Sequence, residues 1–108
     1  MTIVYKICAA DDWAEAVRQG TYRGSPDDLR YGFIHLSAKH QLQGTLDRHF
    51  AGRAGLVLIA FDEASLAGLR WEALRNGALF PHVYGVLPAD SALWVRDLPN
   101  AFSAELSA

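Results

Sequence analysis

The sequence is short of most features that would identify it quickly. It has one cysteine, Cys8, and so no intramolecular disulfide. A lone cysteine fits a reducing, cytoplasmic setting, where it serves as a small buried hydrophobe. Lys and Arg number 10 against 12 acidic residues, for a net charge of −2. No basic stripe is present to meet a run of phosphates, so nucleic acid is not the expected partner. No apolar run approaches the length needed to span a bilayer, and the first residues lack a charged segment followed by an apolar one. Membrane insertion and export are therefore not expected. There is no internal repeat, no nucleophile elbow around a serine, and no glycine loop of the kind that cradles phosphate. The four histidines show no helix-borne zinc spacing, and no metal site is expected.

What remains is an ordinary globular composition. The chain has 108 residues and is 51% hydrophobic, enough for one domain over residues 1–108 with one core.

Two stretches stand out. Gly32-Phe33-Ile34-His35-Leu36-Ser37 reads as a short strand. Period-two geometry puts Phe33, His35 and Ser37 on one face and Ile34 and Leu36 on the other. Leu79-Phe80-Pro81-His82-Val83-Tyr84-Gly85 echoes it, with Phe80, His82 and Tyr84 sharing a face. Two strands that each offer aromatics and an imidazole can form two walls of one pocket. His35 and His82 are the candidate acid–base residues. Glu72, a carboxylate within a strand, is the candidate partner as general base or hydroxyl acceptor.

The rest of the chain reads as scaffold. Thr2 to Ala9 is a strand, with Lys6 placed either on an exposed edge or in the pocket, facing an anionic group. Asp12 and Glu15 suggest a capping box for a helix that buries Trp13 and Val17 and stops at Gly20. Residues 21–31, with Gly24, Pro26, Asp27 and Asp28, read as a loop that covers the site. Ser37 stands where a helix N-cap is expected, before a helix through Leu42, Leu46 and Phe50. His40 and His49 read as helix-surface residues. Leu56 to Phe61 reads as a strand buried on both faces. Glu63 to Gly68 reads as a short helical turn, and Leu69 to Leu74 as a strand with Trp71 on one face and Glu72 on the other. Asn76-Gly77 is a strong hairpin turn signal. Ala92 to Leu98 is the last strand, stopped by Pro99, with a frayed tail beyond Asn100. Two early helices and many later strands give an α+β fold with a mostly antiparallel sheet.

These residues resemble a known family. Tyr5-Lys6-Ile7, the FIHLS run, Trp71-Glu72, the FPHVYG run and Leu87-Pro88 fall in the order seen in the bacterial domain-of-unknown-function family 952. The resemblance covers about Ile3 to Leu98. That family is similar in fold to the ADP-ribosyltransferases, so it implies two helices packed on a split, mostly antiparallel sheet around an NAD cleft. It implies that His35 occupies the second-strand histidine or tyrosine position, and that His35 and Tyr84 flank a nicotinamide. In the first strand, where the family carries a histidine, this chain has Lys6, which cannot accept a hydrogen bond from a ribose hydroxyl. The candidate ligand-binding set is Lys6, Asp28, Phe33, Ser37, Trp71, Phe80 and Tyr84, and NAD is the cofactor the resemblance implies. Two readings stay open: a transferase-like enzyme, and a non-catalytic module for a nucleotide-like or anionic metabolite.

Overall fold

The computed structural model describes residues 1–74 and 76–98. Pro99 and the tail beyond Asn100, read above as a strand stop and a frayed end, lie outside the described residues.

The order is β1 (Ile3–Ala9), α1 (Ala10–Gln19), β2 (Thr21–Tyr22), α2 (Pro26–Tyr31), β3 (Ile34–His35), α3 (Leu42–His49), β4 (Leu56–Asp62), β5 (Leu69–Ala73), β6 (Leu79–Val83), β7 (Leu87–Pro88) and β8 (Ala92–Asp97). The fold is α+β. Among the described residues three small sheets form, in the orders β1-β4-β8, β2-β7 and β3-β6-β5, and their pairings are antiparallel. Among the described residues no helix is long and apolar enough to cross a membrane.

β4 is the central strand, and its run from Leu56 to Phe61 is buried throughout. Alternation along β1 and β4 feeds two apolar clusters on opposite faces of this sheet. Val4, Cys8, Val57, Ile59 and Phe61 pack with Trp13, Tyr22, Ile34 and Val83 on one side. Tyr5, Ile7, Leu56, Leu58 and Ala60 pack with Leu42 on the other. Burial pushes the Cys8 thiol up to about 12, so it stays protonated as a core hydrophobe.

β1 and β3 are edge strands of different sheets. They touch where Tyr5 and Ser37 exchange backbone bonds of 2.8 and 2.9 Å. Tyr5, Lys6 and Ile7 of β1 and the run His35 to Ser37 line one cleft beside that contact.

Several local expectations are corrected. The segment 21–31 contains a two-residue strand and a helix. Ser25 caps α2 through the Asp28 amide, Asp28 returns the bond to the Ser25 amide, and Pro26 begins the helix. Among the described residues three α-helices therefore form, where two were expected. α1 starts at Ala10 with Ala9 as an N-cap that gives no side-chain bond, so Asp12 lies within its first turn. Trp13 is buried, but Ala16 shares its face, while Val17 is 56% exposed. Ser37 is not an N-cap: a 3-10 turn, Lys39–Gln41, leads into α3, Ala38 is its N-cap, and Gln41 Oε1 accepts from the Ala38 amide at 2.9 Å. The Asn76-Gly77 turn forms as expected, with Gly77 at φ +82° and its amide bonded to Leu74 O.

One glycine fixes how the cleft strands are joined. Gly68 has φ +79°, and a Cβ there would stand 2.6 Å from the Tyr84 carbonyl oxygen. Only glycine lets the start of β5 approach the backbone beyond β6 so closely.

Candidate functional site

The two histidine stretches meet as their patterns suggested. β3 pairs with β6 so that His35 lies opposite His82 and Ile34 opposite Val83. Ile34, Leu36 and Val83 turn into the core, at 3% exposure or less. Phe33, His35 and His82 turn the other way, where residues on directly paired positions share a face. The His35 and His82 ring centroids lie 5.4 Å apart. Phe33 stacks on His82 at 4.2 Å and 25°, and sits 4.7 Å from His35. Tyr31, from the end of α2, meets the His35 ring edge-on at 5.4 Å.

Each imidazole is held by its own carboxylate. His35 Nδ1 lies 2.7 Å from Asp28 Oδ1, and His82 Nδ1 lies 2.8 Å from Glu72 Oε1. Asp28 is the more elaborate anchor. Its Oδ1 also accepts from the His35 amide at 3.1 Å. Its Oδ2 accepts from Lys6 Nζ at 2.9 Å and from the Ser25 amide at 2.9 Å. Burial raises the Asp28 pKa, but the His35 bond, the Lys6 charge and the Ser25 amide outweigh it. They hold the carboxyl well below the usual carboxylate range. The His82 and Tyr84 hydrogen bonds hold Glu72 below its ordinary value as well. An ionised carboxylate only accepts, so in a neutral ring the proton sits on Nδ1. Nε2, on the opposite edge of each ring, has no hydrogen-bond partner among the described residues.

Lys6 is neither an exposed edge residue nor a free pocket cation. Its side chain is 6% exposed, bonded to Asp28 and to the His35 carbonyl at 3.0 Å. It belongs to the support of His35.

The cleft measures about 670 Å³, within the usual size for a small-molecule site. Of the residues singled out in the sequence, Lys6, Asp28, Phe33, His35, Ser37, Phe80 and His82 line it. The other three do not. Glu72 sits behind His82. Tyr84 donates to Glu72 at 2.8 Å and packs 5.3 Å from Phe33, so Phe33 takes the place expected for Tyr84 beside His35. Trp71 lies on the opposite face of β5, where its indole donates to Glu63 at 2.7 Å and its ring packs against the core.

The structure adds residues that sequence reasoning passed over. Arg30 and Tyr31 come from α2, and Thr45, Arg48 and His49 from α3. The missing signal for the first pair was the helix itself. For the second group it was available: Thr45, Arg48 and His49 are spaced i, i+3, i+4 and share a helix face. Among the described residues no three His, Cys, Asp or Glu side chains are grouped to hold a metal ion.

The family described as "Protein of unknown function (DUF952)" matches residues 7–95. Protein CC0527 from Caulobacter crescentus is similar in structure. Its crystal structure is 44% identical with a TM-score of 0.87, over 91% of this chain and 87% of that one. Its solution NMR structure is 45% identical with a TM-score of 0.80, over 91% and 85%. No curated protein matches the chain.

Proposed function

The chain belongs to the DUF952 family, and from that premise we propose that the His35–His82 cleft is the active site of an enzyme of ADP-ribosyltransferase-like fold acting on NAD or an ADP-ribose-like ligand. The observation that carries the reading is the pair of imidazoles, 5.4 Å apart, each with Nδ1 held by its own carboxylate. A ring fixed in this way keeps one tautomer and one orientation, as an acid–base residue needs. Two such rings in one cleft can accept from ligand hydroxyls, and either can take a proton at Nε2. Phe33 and Tyr31 supply flat apolar surface beside them for a planar ring. The fold assignment is supported by antiparallel sheets whose edge strands β1 and β3 both line the cleft, with His35 on β3.

A second reading is favoured by one observation. The first-strand position that would hold a ribose hydroxyl is Lys6, and its ammonium is engaged by Asp28 and the His35 carbonyl. A cleft without that clamp suits a non-catalytic module for a nucleotide-like or anionic metabolite. In either reading the partner is a small molecule.

Calorimetric titration with NAD and ADP-ribose tests both, followed by an assay for nicotinamide release. Binding with release supports the enzyme. Binding without release supports the module. No heat and no thermal shift at millimolar ligand removes the enzyme and the nucleotide-like form of the module.

A further inference from the structure

We infer that the α3 wall of the cleft is an oxyanion subsite, made by Thr45, Arg48 and His49 with Ser37, and that it takes the phosphate-bearing end of the ligand. This deepens the reading of the cleft as a ligand site and rests on it for the ligand's other end, beside His35.

Charge around the cleft singles out this wall. The described lining residues carry three fixed cations, Lys6, Arg30 and Arg48, and two carboxylates, Asp27 and Asp28. Lys6 pairs with Asp28 at 2.9 Å, and Arg30 with Asp27 at 2.7 Å. Arg48 is left over, with no hydrogen bond or carboxylate among the described residues. It is exposed and opens onto the cleft. The chain as a whole carries a net charge of −2, so a cation left unpaired among the described residues in this cleft is not an average property of the surface.

The neighbours of Arg48 suit the same ligand group. Thr45 and His49 share its helix face and line the same cleft. Thr45 Oγ1 lies 2.9 Å from Ser37 Oγ, and Ser37 is 4% exposed. Two hydroxyls bonded to each other use one proton between them, which leaves the second free to donate into the cleft. A guanidinium with its fork of donors, a hydroxyl proton and an imidazole make a donor-rich wall. A phosphate offers three or more oxygens to such a wall and a carboxylate two, so phosphate is the better match.

The test is an amide NMR titration with inorganic pyrophosphate, and in parallel with succinate, at constant ionic strength. It uses the wild type, Arg48→Gln and Thr45→Val. Arg48 is exposed, so its replacement leaves the fold intact. Pyrophosphate is expected to shift the amides of Ser37, Thr45, Arg48 and His49 at millimolar concentration. Arg48→Gln is expected to weaken it by about tenfold or more, and Thr45→Val by less. Succinate is expected to bind much more weakly. Absence of shifts in the wild type, or equal binding by Arg48→Gln, overturns the subsite. Equal binding of succinate overturns the phosphate assignment. The NAD and ADP-ribose titrations fail separately: pyrophosphate binding that depends on Arg48, with no heat from ADP-ribose, keeps the subsite and removes the nucleotide reading. ADP-ribose binding indifferent to Arg48→Gln removes the subsite and keeps the reading.

Discussion

Lys6 Nζ and Asp28 Oδ2 are 2.9 Å apart, and their side chains are 6% and 2% exposed. A pair this deeply buried is costly to break, because the remaining charge is left without water or a counter-ion. Asp28 keeps its three bonds from Ser25 and His35 without Lys6, but these donors carry no fixed positive charge. Lys6→Met, which preserves most of the volume, is expected to destabilise the protein by about 3–5 kcal/mol. Urea denaturation measures it. A loss below about 1 kcal/mol, the range of exposed pairs, would show that the pair contributes no more than a surface one.

Asp28 also sets an acid-side dependence. Its carboxyl is held below the ordinary value in the folded state, so the folded protein keeps it ionised where the unfolded chain protonates it. The stabilisation is therefore complete above the unfolded carboxyl pKa of about 4, and is lost as pH falls from there towards the folded value. Urea midpoints measured from pH 7 down to pH 2 are expected to fall on the acid side in the wild type. In Asp28→Asn that fall is expected to be shallower. Parallel profiles would mean that other carboxylates carry the acid sensitivity.

The fold and the site were legible in the sequence to different depths. The continuous apolar run Leu56–Phe61 announced a buried central strand, and β4 is that strand. Because a strand's period is short and local, the alternation around His35 and His82 put Phe33, His35, Ser37, Phe80 and His82 on the cleft face, though not Tyr84. α2 was hidden because Gly24, Ser25 and Pro26 read as breakers. In fact Ser25 is the cap, Pro26 the first helical residue, and Asp28 fills the capping-box place more often held by Glu or Gln. The role of Lys6 depended on Asp28, 22 positions away and brought near only by the missed helix. The face Thr45–Arg48–His49 was readable as a helix face. What it looks onto is set by how α3 packs over the sheet, which spacing alone does not fix.

Gly68 gives a test of the backbone geometry that joins β5 to the end of β6. Its φ of +79° and the 2.6 Å approach of the Tyr84 carbonyl leave no room for a methyl group. Gly68→Ala is expected to cost about 1–3 kcal/mol from the left-handed conformation alone, with the clash added to it. A thermal melt measures the loss. At Gly77, φ +82° with open space around it, the same substitution meets the strain without the clash and is expected to cost less. Equal losses at the two positions would mean that the Tyr84 carbonyl moves aside freely.

The central claim is that Asp28 and Glu72 fix two neighbouring imidazoles so that both present Nε2 to one cleft. Long-range proton–nitrogen NMR of the histidine rings addresses it directly. At pH 9, well above the ordinary histidine range of about 6.5, neutral rings report their tautomer through the two nitrogen shifts. His35 and His82 are expected to carry the proton on Nδ1, against their carboxylates, with Nε2 unprotonated. Addition of ADP-ribose is expected to move the Nε2 signals of both. A proton on Nε2 of either ring, or Nε2 signals unmoved by saturating ADP-ribose, would contradict it.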